Sequence, residues 1–382
     1  MGRTALVLGA GIGGITVARA LRKRLPAEDR VVVVERERNH VFAPSLLWHI
    51  VGDSEPADFT RPLAVLQSKG IELVSGDVSR IDPSALAVEV GAKTLTGDAM
   101  IVALGADYAP ETVPGLAERG LNLYTLEGAG RIRAALETFK GGRIVVLTAA
   151  PAYKCPAAPY EAAMLIEAFC RKRVLRSMTE IAIHAAEPAP MPVAGPVAGA
   201  QIKTMLERKG IAYSPLHQVL RVDDGVLHFA EGQTAAFDLL VYVPPHRVPA
   251  VVKDAGLCGE SGWVAVDRST LTTKFSNVWA IGDVTSIPLK MGRPLPKAGV
   301  FAGRQAEVVA KNVADTWAGK PATSRFDGHG MCFLEIGGGM AGLGSGNFYG
   351  EPLPDVRMRW PNPFWHIGKV LYGKYWLWRQ FR

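Results

Sequence analysis

Along most of the chain, short runs that are apolar throughout alternate with stretches of helical period. Thr4 to Leu8 is such a run, and a helical stretch to about Arg24 follows it; Val31 to Val34 is the next, closing on Glu35. Met100–Ala106, Arg143–Leu147, Glu180–His184 and Asn277–Asp283 continue the pattern. Runs without polar alternation predict strands buried on both faces, and helices between them predict parallel sheets. The fold class is therefore α/β.

The turns at the ends of these strands carry the first chemistry. Gly9-Ala-Gly11-Ile-Gly13-Gly14 joins the first strand to its helix. In that context the spacing predicts a dinucleotide site. Gly9 permits the turn, Gly11 lets a pyrophosphate approach, and Gly14 lets the helix pack. Glu35, ending the next strand, is placed to hold a ribose.

A second unit of the same outline runs from Arg143 to Glu161, RIVVLTAAPAYKCPAAPYE. Its turn holds no glycine, so backbone amides cannot close on a pyrophosphate there. A cysteine, Cys155, stands ahead of Pro156 instead. A helix is expected from about Pro156 to Arg173, with Pro156 in its first position, where the dipole lowers the pKa of the thiol. Glu161 lies about a turn further in and can move protons. Glu187, after the following strand, is in the place of a ribose-binding acid but has no dinucleotide to hold, which argues against NAD(P)H as electron donor. Cys170 reads as a buried structural thiol and Cys258 as a loop residue.

Composition narrows the picture. The chain has 382 residues, 48% of them hydrophobic, with 41 Gly and 26 Pro, as suits a large α/β enzyme. The net charge is +7, and Arg357 to Arg382 holds six Lys or Arg and no acid. That asymmetry favours an anionic surface over a nucleic acid as partner. Four cysteines do not make a disulfide scaffold in a chain this size. No secretory signal, membrane-spanning run or metal site is expected. Trp360 to Arg382 contains four of the eight tryptophans. As a helix from Ile367 onward, it would place Ile367, Val370, Leu371, Leu377, Trp378 and Phe381 on one face, with Lys374 intruding. Aromatic and basic residues together suit a monotopic membrane anchor; docking onto the protein itself, or onto a second subunit, is the alternative.

Three motifs in order, the glycine turn, Met100–Ala106 with Ala103 and Gly105, and Asn277–Asp283 with Gly282 and Asp283, resemble the FAD domain of two-dinucleotide-domain flavoproteins. That resemblance implies two Rossmann-like domains of the FAD/NAD-linked disulfide reductase type, with a C-terminal aromatic and basic segment. The expected division is 1–108 and 246–325 for the FAD domain, 109–245 for the second domain, and 326–382 for the C-terminal region. Asp283 would meet the ribityl chain. Lys297, with the dipole of a helix from Gly299 to Val313, would favour negative charge on a reduced flavin.

Tyr153-Lys-Cys155-Pro-Ala-Ala-Pro-Tyr-Glu161, followed by Cys332-Phe333 in His329–Gly337, resembles the sulfide:quinone oxidoreductases and the flavoprotein subunit of flavocytochrome c sulfide dehydrogenases. The resemblance implies a redox pair, Cys155 and Cys332, beside the flavin, with sulfide as donor and quinone as acceptor. Phe333 would wall the quinone site, with Phe364 or Trp365 opposite. A peripheral location on the cytoplasmic membrane face follows. Association with a second copy or a redox partner subunit stays open, as do a type II NADH dehydrogenase-like enzyme and a non-catalytic FAD-binding subunit with structural cysteines. The chain departs from the family in three places: no cysteine precedes Cys155, Met191–Gly199 holds no histidine, and His40–Trp48 holds no cysteine. The last implies a noncovalent flavin.

Overall fold

The structure, a computed structural model, describes residues 2–382. The chain opens with β1 (Thr4–Leu8), α1 (Ile12–Arg24), β2 (Arg30–Glu35), β3 (Glu72–Ser75) and β4 (Ala99–Val102). It then builds a second sheet from β5 (Leu121–Asn122), β6 (Gly142–Thr148), β7 (Thr179–Ala185), β8 (Ile211–Ser214) and β9 (Leu239–Val243). Helix α2 (Ala158–Lys172) follows β6, and α3 (Pro196–Arg208) precedes β8. The chain returns to the first sheet with β10 (Val278–Ala280) and continues into α4 (Gly299–Trp317).

Both five-stranded sheets are parallel, as the uniformly apolar runs require. Their orders are β10-β4-β1-β2-β3 and β5-β9-β6-β7-β8. In each, the strand order reverses beside the first long strand, β1 or β6, and at the first sheet a crevice opens at the strand ends there. The chain crosses between the sheets twice, and the crossings pair antiparallel, Asp107 with Arg247 and Tyr108 with His246.

Beyond α4, three antiparallel strands, β11 (His329–Gly337), β12 (Met340–Asn347) and β13 (Asp355–Asn362), lead into α5 (Pro363–Phe381). The end of β11 packs on α2 so closely that a Cβ on Gly337 would stand 2.3 Å from Ala168 Cβ. That contact lays β11, and Cys332 within it, against the helix that follows Cys155. Asn362 caps α5 by accepting from the Trp365 N–H. Among the described residues no helix is long and apolar enough to cross a membrane.

Candidate active site

A cavity of about 790 Å³ opens at the reversal point of the first sheet. Gly9, at φ +99°, turns the chain there, and a Cβ on it would stand 2.6 Å from Ala103 O. A Cβ on Gly14 would stand 1.9 Å from Gly9 O, so the helix can start only where it does. A Cβ on Gly11 would meet nothing within 4 Å. The turn is thus tight on its protein side and open on its cavity side. Helix α1 has no side-chain cap, so its first amide donors remain for an anion. Glu35 accepts from the backbone N–H groups of Ala10 (2.6 Å) and Glu37 (3.0 Å), which hold its carboxylate at the cavity wall. These features fit a dinucleotide.

The far wall is the 282–299 segment. Gly282, at φ +74°, donates its N–H to Gln305 Oε1 at 2.7 Å. Asp283 lines the cavity, and burial raises its pKa against the pull of Lys154 and Lys297. The Lys297 ammonium, expected to favour negative charge on a flavin ring, belongs to the same wall. It donates to the carbonyls of Asp283 (2.7 Å) and Thr285 (2.8 Å) and lies 3.4 Å from the centroid of the Trp263 ring. Burial lowers its pKa to about 8. Lys297 therefore tethers the loop carrying Asp283. The start of α4 has no side-chain cap and lines the cavity at Ala298 and Gly299. Ala103 and Gly105 line it as well.

Cys155 also faces this cavity. Its turn reaches left-handed backbone without glycine, at Ala152 (φ 65°) and at Cys155 itself (φ 47°). Two anchors hold it: the Cys155 N–H donates to Lys297 O at 2.6 Å, and the Tyr124 hydroxyl donates to Lys154 O at 2.6 Å. The helix begins at Ala158 with Pro159 in its first turn, so Pro156 lies ahead of it. The expected lowering of the thiol pKa is also overturned. Burial, and then the charge of Glu161, push Cys155 up to about 12, and neither Lys369 nor the Ala158 N–H offsets them. Cys332 is raised as well, by burial first and then by Cys155 and Glu161. Each is a free, partly buried thiol; Cys155 lines the cavity, and Cys332 is near enough to feel its charge.

Behind the thiols lies an ion cluster that the sequence did not announce. Glu161, 1% exposed, accepts from the Lys369 ammonium and from the Glu335 N–H at 2.8 Å. Glu335, equally buried, pairs with His366 Nδ1 at 3.1 Å. Burial draws the Lys369 pKa down, but Glu161 and Glu335 more than reverse this. Lys369, Glu335 and His366 were legible only as residues of an amphipathic helix and a strand. Their role depends on α5 folding back onto α2.

Three aromatic residues were expected to box a quinone. Phe333 lies against α5, where a Cβ on Gly368 would touch its ring at 3.4 Å. Trp365 is half-buried, its ring 5.5 Å from the Arg359 guanidinium. Phe364 is 79% exposed. The expected apolar face of α5 divides in the same way. Leu377 and Phe381 are buried with Lys369, Gly373, Trp376 and Gln380. Phe364, Ile367, Leu371, Tyr375 and Trp378 form an exposed stripe on the other side. The helix turns inward the face that satisfies Glu161, and the Trp376 ring packs at a tilt against His40 and Phe42, with centroids 5.1 and 5.2 Å away.

The second nucleotide turn is closed from within. Glu187, 3% exposed, accepts from the hydroxyls of Thr148 (2.7 Å), Tyr160 (3.0 Å) and Tyr153. The acid in the ribose position is saturated by the chain's own side chains, on the turn that already lacks glycine.

Two parallel sheets, a glycine turn open to a deep cavity and a partly buried thiol on its wall define a two-dinucleotide-fold flavoprotein oxidoreductase. The model of the pyridine nucleotide-disulphide oxidoreductase family matches residues 3–306. The chain belongs to that family. It is 25% identical to the mouse mitochondrial sulfide:quinone oxidoreductase over 91% of this chain and 79% of the relative. It is 24% identical to the sulfide-quinone reductase of Aquifex aeolicus over 99% and 91%. The crystal structure of the sulfide:quinone oxidoreductase from Aquifex aeolicus superposes with a TM-score of 0.90, at 22% identity over 99% of this chain and 91% of that one. A type II NADH:quinone oxidoreductase of Staphylococcus saprophyticus is 22% identical over 84% of each chain.

Proposed function

We propose that this chain oxidises sulfide through the Cys155–Cys332 pair and passes the electrons, by way of a noncovalent FAD, to a membrane quinone. The observation that supports this reading is Cys155 at the wall of the dinucleotide cavity, with Cys332 and the buried Glu161 near enough for their charges to act on one another. Gly9, Gly11, Gly14, Glu35, Ala103, Gly105, Gly282 and Asp283 would hold the FAD, whose bound flavin supplies two-electron transfer between the thiol pair and the quinone. His40–Trp48 holds no cysteine that could attach it covalently.

The protein's own part is thiol–disulfide exchange. Hydrosulfide attacks one sulfur of the oxidised pair; one cysteine becomes a persulfide and the other leaves as a thiolate. A second hydrosulfide removes the outer sulfur as hydrodisulfide, and reoxidation of the two cysteines releases two electrons. The sum is two HS⁻ giving HS₂⁻, a proton and two electrons. Glu161 keeps one oxygen on Lys369 and the Glu335 amide, which leaves the other to take that proton.

The exposed stripe on α5, flanked by Lys374, Arg379 and Arg382, supports seating on an anionic bilayer surface. Phe333 and Trp365 lie at this end of the molecule and are the candidates for contact with a quinone arriving from it. Anaerobic titration of the flavoprotein tests the reading. Sulfide should bleach the flavin and a quinone analogue should restore it. Rapid bleaching by NADH, with none by sulfide, would transfer the protein to NADH:quinone chemistry.

A further inference from the structure

We infer that Lys154 is the cation that receives hydrosulfide at the entrance to the thiol pocket. The inference deepens the sulfide reading and rests on it. Three lysines stand around the cavity and the thiols. Lys297 is saturated by two carbonyls, and Lys369 is paired with Glu161. Lys154 lines the cavity yet forms no ion pair with any described residue. Its ammonium lies over two ring faces, 4.7 Å from the Tyr108 centroid and 5.7 Å from that of Tyr124, with the buried Asp283 as the nearby acid whose charge it feels.

That cage is a built feature. Tyr108 and Tyr124 stack with centroids 6.2 Å apart, and His246 meets both edge to face at 5.2 and 5.6 Å. The Tyr124 hydroxyl pins the carbonyl of Lys154, and the backbone of Lys154 bridges that of Lys297. Ring faces attract a cation from one side, and Asp283 makes no contact ion pair with it, so donors of the ammonium remain available to an anion. An anionic substrate needs such a group here. The surrounding groups, Asp283, Glu161 and two thiols, repel or ignore an anion. The sequence provides neither a histidine in Met191–Gly199 nor a cysteine before Cys155 to help.

Seated beside Cys155, hydrosulfide would attack one sulfur of the oxidised pair. One S–S bond forms as the other breaks, and the bonding electron pair leaves on the departing cysteine as thiolate. No outside oxidant enters this step.

The test is stopped-flow reduction of the flavin by sulfide without oxygen. For Lys154→Met, the second-order rate constant should fall at least tenfold and lose its dependence on ionic strength, while the limiting rate at saturating sulfide holds. Lys154→Arg should retain the wild-type salt dependence. In the wild-type protein, thiocyanate should raise the apparent Kd for sulfide competitively, a result that needs no variant to fold. An unchanged second-order constant in Lys154→Met, or no competition by thiocyanate, would overturn the inference. A fall confined to the limiting rate would do so too, since it assigns Lys154 to the flavin or the thiolate. Failure of sulfide to reduce the wild-type flavin would instead remove the functional reading itself.

Discussion

The Lys369 ammonium donates to Glu161 across 208 positions of sequence, and both groups are buried. This pair fastens the C-terminal helix to the helix behind the reactive thiols. Removing one partner of a buried pair leaves an uncompensated charge and costs roughly 3–5 kcal/mol. Lys369→Met should lower stability by that amount in urea unfolding. Glu161→Gln alone should cost less, because the amide oxygen still accepts from the Glu335 N–H. The double variant should recover much of the loss, giving a strong coupling in a double-mutant cycle. Additive losses would mean that the pair is not the fastening.

His40 links the same helix to the dinucleotide turn. Its Nδ1 donates to Ala10 O at 3.1 Å, its ring packs at a tilt against Trp376, and burial lowers its pKa from 6.5 to about 4. Below pH 6.5 the unfolded chain takes up a proton that the folded chain refuses. Stability should therefore fall as pH drops from 6.5 toward 4, by about 3 kcal/mol at most from this residue. His184 and His246 are depressed for the same reason and add losses of the same sign. The measurement is the difference in unfolding free energy between pH 7 and pH 4.5. In His40→Gln, whose amide can keep the bond to Ala10, that difference should shrink by roughly 2–3 kcal/mol.

The nucleotide-binding half of the molecule was legible because its requirements are local. Gly9, Gly11, Gly14 and Glu35 lie within one strand–helix–strand unit, and the uniformly apolar runs dictate parallel strands. Long-range charge was not legible. Nothing in the sequence around Lys369 marks it as the partner of Glu161, and the helix period alone assigned its inward face differently. The thiol setting misled for a related reason. A cysteine ahead of a helix suggests a lowered pKa, but burial and the charge of Glu161 outweigh the helix end here.

That reversal has a chemical consequence. In the reduced protein without sulfide, Cys155 should react with iodoacetamide at pH 8 at least about a hundredfold more slowly than free cysteine, because little thiolate exists at a pKa near 12. Steric burial alone would give a slow reaction that levels off above pH 9, as the free thiol does. A raised pKa gives a rate that keeps rising through pH 10 and 11. Peptide mapping of the alkylated site after brief exposure at each pH separates the two.

The exposed stripe on α5 provides the last test, because it divides membrane seating from folding. Ile367, Leu371 and Trp378 are 51%, 60% and 52% exposed, so changing them removes little packing from the protein. Each large apolar side chain that enters an interface contributes on the order of 1–2 kcal/mol. Leu371→Asp should therefore weaken sedimentation with anionic phosphatidylglycerol vesicles by roughly tenfold, and Leu371→Asp with Trp378→Asp by roughly a hundredfold. Thermal stability and flavin content should stay at wild-type values in both. Reduction of the flavin by sulfide should be unaffected, since the thiols lie on the inward side of the helix. Turnover with a quinone held in vesicles should fall in step with binding, whereas turnover with a short-chain, water-soluble quinone should not. Equal loss with both quinones would place the effect of the stripe inside the protein and remove the case for a bilayer as its partner.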